Sequence, residues 1–93
     1  MTIHRDTEDR VKDASTLALQ ALGWVLADDR RAQRLLDLTG LTPDSLRGSL
    51  GELATHRAVL EYLCSYEPDL IAAADTLGVD PARLVSAHEE LAR

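Results

Sequence analysis

Apolar residues return every three or four positions along almost the whole chain, and nowhere do they alternate with polar ones at the two-residue period of a strand. Val11, Ala14, Ala18, Ala21, Leu22 and Val25 form the first stripe, widened by Leu17 and Trp24, with Lys12, Asp13, Thr16 and Gln20 opposite. The pattern predicts a helix over 7–27, capped by Asp6 or Thr7 after a frayed start, with Glu8 and Asp9 set favourably against its dipole. Gly23 lies inside it at a cost of about 1 kcal/mol relative to Ala. A close helix contact against the missing side chain is the predicted compensation.

Two corners punctuate the rest of the chain. Asp28 and Asp29 open a helix over Arg30–Thr39 that turns Ala32, Leu35, Leu36 and Leu38 inward. Gly40 supplies the left-handed residue that ends it, Thr42 caps the next helix, and Pro43 fits that helix's first turn, where no N–H is needed. A short helix runs from Pro43 to Leu50, weakened by Gly48 and broken near Gly51. From Glu52 a further stripe holds Ala54, Ala58, Val59, Tyr62 and Leu63. Ser65 or Glu67 then caps a helix lined by Leu70, Ile71, Ala73, Ala74 and Leu77. Gly78 stops that helix, and Asp80 and Pro81 open the last, with Leu84, Val85, His88 and Leu91 on one side. Asp37, Gly40, Pro43 and Leu46 recur 38 residues later as Asp75, Gly78, Pro81 and Leu84. The chain reads as all-α: five to six short helices in two similar helix–helix–corner units, about 17–46 and 55–84, packed as one bundle and one domain over 1–93.

Composition narrows the function classes. Ninety-three residues bury about 60–65% of their unfolded surface, enough for a modest core. With 45% hydrophobic and only 3% aromatic residues, that core is made of Leu, Ala and Val. A net charge of −6 works against nucleic acid and anionic membrane as partners. No signal-peptide core opens the chain, and the longest unbroken apolar run, Leu70 to Ala74, falls far short of a membrane span. Cys64 is the sole cysteine, so an internal disulfide is impossible and a reducing, cytoplasmic setting is expected.

Ala21-Leu22-Gly23-Trp24, Leu36-x-Leu38-Thr39-Gly40-Leu41-x-Pro43 and Val59-Leu60-Glu61-Tyr62-Leu63 resemble the pattern of a bacterial family of short proteins, domain-of-unknown-function family 3572. The resemblance runs from about Leu17 to Leu84, departing at Glu61 and Tyr62, where Asp and Phe are the family's expected residues. It implies a small helical protein and carries no chemistry over.

Candidate sites are few. Arg30, Arg31 and Arg34 are the densest positive cluster, Arg30 and Arg34 share a helix face, and Arg47 extends the patch if the short helix folds back. An acidic protein segment is the partner such guanidinium groups fit, through bidentate pairing. The bland alternative is a solvated face with local pairing such as Arg34 to Asp37. Asp37 and Asp75, near helix C-termini, either reach across their corners or face solvent. His4, His56 and His88 form no metal set, His56 pairing with Glu52; no base accompanies Cys64, which reads as a buried structural thiol. Trp24 and Tyr62 read as core anchors and Tyr66 as a surface aromatic. The expectation is a non-enzymatic protein–protein interaction module without metal or cofactor. The alternative is a helix-turn-helix-type DNA-binding or regulatory protein using about 70–91, opposed by Glu89 and Glu90 on its last helix.

Overall fold

Six helices follow one another without a strand among the described residues: α1 (Thr2–Leu26), α2 (Asp29–Thr39), α3 (Pro43–Gly48), α4 (Leu53–Ser65), α5 (Glu67–Leu77) and α6 (Pro81–Ala92). These come from a computed structural model, which describes residues 2–92, with side chains from Glu8 to Ala92. α1 starts five residues before its predicted start at 7. Its packed half, Ala14 to Val25, supplies the nucleus, and each further turn then costs little. The side chains of His4, Asp6 and Thr7 lie outside the described residues.

Local chemistry fixes the corners. The Asp28 carboxylate caps α2 by accepting from the backbone N–H groups of Arg30 and Arg31 at 2.9 and 3.1 Å. Thr42 and Ser45 form a reciprocal capping box at the start of α3. Gly40 and Gly78 both stand at φ 73°, the left-handed conformation that ends α2 and α5. The bounds of α2 and α5 are 38 residues apart, as are the starts of α3 and α6. The halves part company afterwards, because α3 stops at Gly48 whereas α6 runs on to Ala92. α5 starts from Tyr66 without a side-chain cap, so neither Ser65 nor Glu67 performs that role.

The core is one continuous cluster. α6 lies against both α1 and α4, α1 and α4 touch each other, and α2 and α5 flank them. Val25, Val59, Leu60, Leu63, Leu84 and Leu91 are almost fully buried where these helices meet. Tyr62 is buried as an anchor, and Trp24 packs partly buried against the cluster.

Several predicted inward residues face solvent. Leu38 is 65% exposed, and Ile71 and Val85 are also exposed. α2, only 11 residues long, rests on α1 and α4, and Leu35 is its fully buried residue, with Leu36 partly covered. Gly23 has no close helix neighbour, since a Cβ built there meets nothing within 4 Å. Its backbone is ordinary helix, so the glycine costs stability without compensation inside the chain.

The glycines therefore give opposite expectations. Gly40→Ala and Gly78→Ala force a side chain into the left-handed region and are expected to destabilise by about 1 kcal/mol each. Gly23→Ala fills open space on a helix and is expected to stabilise by about 0.5–1 kcal/mol. Urea denaturation of the three variants checks both signs.

Candidate functional site

The four predicted arginines are engaged differently. Arg31 folds back over Trp24, its guanidinium carbon 3.7 Å from the ring centroid, and donates to the Trp24 carbonyl. It also pairs with Asp28 at 3.8 Å. The Asp28 carboxyl is held below its ordinary range, chiefly by the hydrogen bond from the Arg31 N–H. Arg31 thus fastens α2 to the end of α1. Arg34 pairs with Asp69 of α5 at 3.2 Å rather than with Asp37, which instead accepts from Gln33. Arg47 pairs with Asp44 on its own helix. Arg30 is exposed and makes no ion pair among the described residues.

Asp69 is the centre of a tie that the sequence did not announce. Its Oδ2 accepts from both Arg34 of α2 and the hydroxyl of Tyr62 of α4, joining three helices at one oxygen. Arg34 also lies over the exposed ring of Tyr66, 4.9 Å from its centroid. Burial, reinforced by the adjacent carboxylate, pushes the Tyr62 phenol up to about 12. The signal was Asp69 itself, one residue after Pro68 in the first turn of α5, which helix-dipole reasoning alone accounts for.

The other titratable candidates are partly or fully buried. His56 is buried, and its Nε2 donates to the Leu50 carbonyl at 2.6 Å rather than meeting Glu52. Cys64 is half-buried; desolvation, then the charge of Glu89, pushes its thiol up and away from reactivity. His88 is half-buried. Among the described residues no three His, Cys, Asp or Glu side chains converge as a metal site. No helix there is long and apolar enough to cross a membrane.

A concavity lies elsewhere, along the outer face of α4. A groove of about 470 Å³ runs between that face, the C-terminal end of α2 and the segment after α3. Leu38 and Leu41 form one wall, and Ala54 and Ala58, one helical turn apart, form the floor. Its hydroxyls are already used by the protein. Thr55 donates to Ser49 at 2.9 Å, Ser49 to the Leu46 carbonyl at 3.2 Å, Thr39 to the Leu35 carbonyl at 2.9 Å, and Ser65 to the Glu61 carbonyl at 2.7 Å. The groove thus offers a visitor apolar surface and the carboxylates of Glu52 and Glu61.

Fold and groove together define a small all-α bundle with an open groove of mixed apolar and polar lining. The family described as Protein of unknown function (DUF3572) matches residues 11–93, and the chain belongs to it. No curated protein and no solved structure matches the chain.

The Asp69 tie gives two expectations. Asp69→Ala leaves the buried Tyr62 hydroxyl without its acceptor and is expected to cost about 1–3 kcal/mol, against about 0–1 kcal/mol for Arg34→Ala, whose side chain is 42% exposed. Chemical denaturation of the two variants measures the difference. Folded Tyr62 keeps its proton to about 12, whereas the unfolded phenol ionises near 10.0, so the unfolded state binds fewer protons between those values. Stability is therefore expected to fall as pH rises through that window, and Tyr62→Phe to remove that part of the loss. Urea midpoints taken below and within the window check it.

Proposed function

We propose that the chain is a non-enzymatic protein-interaction module whose contact surface is the groove along α4. The observation that carries this reading is the pairing of an exposed apolar wall with a small-residue floor. Leu38 is 65% exposed on a helix that buries Leu35, and Ala54 and Ala58 leave room beside it for larger side chains. A channel of this kind is the receiving half of helix-in-groove recognition. Its internally satisfied hydroxyls suit an apolar visitor better than a polar metabolite, which would find few free donors.

Binding of an acidic segment to Arg30, Arg31, Arg34 and Arg47 is the competing reading. Three of those four guanidinium groups already hold carboxylates, so an acidic visitor must displace Asp28, Asp69 and Asp44. DNA binding through α5, Gly78 and α6 is less favoured still. Arg83 of α6 is paired with Glu90 at 3.3 Å, which removes the cation that a phosphate contact needs.

The experiment uses a partner recovered with the tagged chain from its native host. Ala54 is exposed, so Ala54→Trp fills the groove without entering the core. It is expected to weaken that partner's binding by more than about tenfold, as blocking a central anchor does, with circular dichroism unchanged. Unchanged affinity overturns the groove reading, and a comparable loss confined to Arg30→Glu supports the acidic-segment reading instead.

A further inference from the structure

Resting on the groove reading, we infer that the occupant is an amphipathic helix carrying two cationic residues about seven positions apart on one face, with apolar residues between them. The unpaired charges of the groove carry the argument. Glu52 and Glu61 are both exposed and line the groove, and neither makes an ion pair among the described residues. Glu52 is also free of helix duty, because its side chain makes no cap hydrogen bond to α4. Arg57, the arginine of α4, is exposed, does not line the groove and pairs with neither acid. Among the described residues, no basic side chain lines the groove.

Geometry sets the spacing. Glu52, the extended residue just before α4, and Glu61 flank Ala54 and Ala58 in sequence, and the helical rise from Leu53 to Glu61 amounts to about 12 Å. A partner helix lying along the groove meets both acids with Lys or Arg at i and i+7, which share one helix face about 10–11 Å apart, the long side chains spanning the difference. Between those residues it presents large apolar side chains on one face to Leu38, Leu41 and the alanine floor. The chain's overall balance, 16 acidic against 10 basic residues, steers a cationic segment toward it at low salt.

The probe is a synthetic, amidated helical peptide with two lysines seven positions apart, leucines three and four positions after the first lysine and glutamine elsewhere, labelled for fluorescence anisotropy. It is expected to bind the wild-type chain. Glu52→Lys with Glu61→Lys is expected to weaken it by about tenfold or more, most strongly at low salt. Asp9→Lys with Asp75→Lys changes net charge equally at exposed positions outside the groove, and is expected to weaken binding by less than about threefold. Equal losses in the two double variants overturn the inference, because the peptide then reads total charge and not the groove. Equal or tighter binding of a peptide with glutamates in place of its lysines overturns it as well. If Ala54→Trp still abolishes binding of the native partner in those cases, the groove reading stands and the partner's chemistry alone is wrong. If Ala54→Trp abolishes self-association of the chain, the occupant is a second copy and the inference fails.

Discussion

The meeting of α1, α4 and α6 is the contact on which the rest depends. With three aromatic residues in the chain and no phenylalanine, it is built from aliphatic side chains, and Leu60, Leu63, Leu84 and Leu91 are almost wholly buried. Aliphatic cores of this kind hold by close packing, so every large side chain that fits is drawn in. The side chains left outside are therefore informative. α2 is too short and too lightly seated to bury Leu38, and α4, committed to the core by Val59, Leu60, Tyr62 and Leu63, turns Ala54 and Glu61 outward. The groove is a by-product of that division of α4 into a core face and a free face.

The corners are legible in the sequence because each rests on backbone chemistry that few residues satisfy. A positive φ at Gly40 and Gly78, Pro at the first helical position of α3 and α6, and Asp28 as a cap are local requirements, and local requirements are written locally. The helical stripes are legible for the same reason, through their period. That period misplaces Leu38, Ile71 and Val85, because it tells which residues share a face, not whether a neighbouring helix reaches that face. Gly23 misleads similarly, since open space and close contact call for the same small residue.

The candidate site is less legible than the fold. Proximity in sequence makes Arg30, Arg31 and Arg34 look like one patch, but the bundle sends Arg31 toward Trp24 and Arg34 toward Asp69, 35 residues away. A carboxylate that accepts from Arg34 and Tyr62 together is a tertiary fact with no short-range signature. The groove is tertiary too, made from the end of α2, the segment after α3 and one face of α4. Periodicity alone shows Ala54 and Ala58 only as members of an apolar stripe, with nothing to mark them as its floor.

Locating the contact surface on the folded chain tests the central claim most directly. Backbone amide NMR of the isotopically labelled protein, titrated with the lysine–leucine peptide and then with a native partner, maps the surface residue by residue. Shifts are expected to concentrate in 38–41 and 52–65, with the amides of Arg30, Arg31 and Arg47 little changed. Shifts centred on those arginines, or on α6, contradict the groove reading.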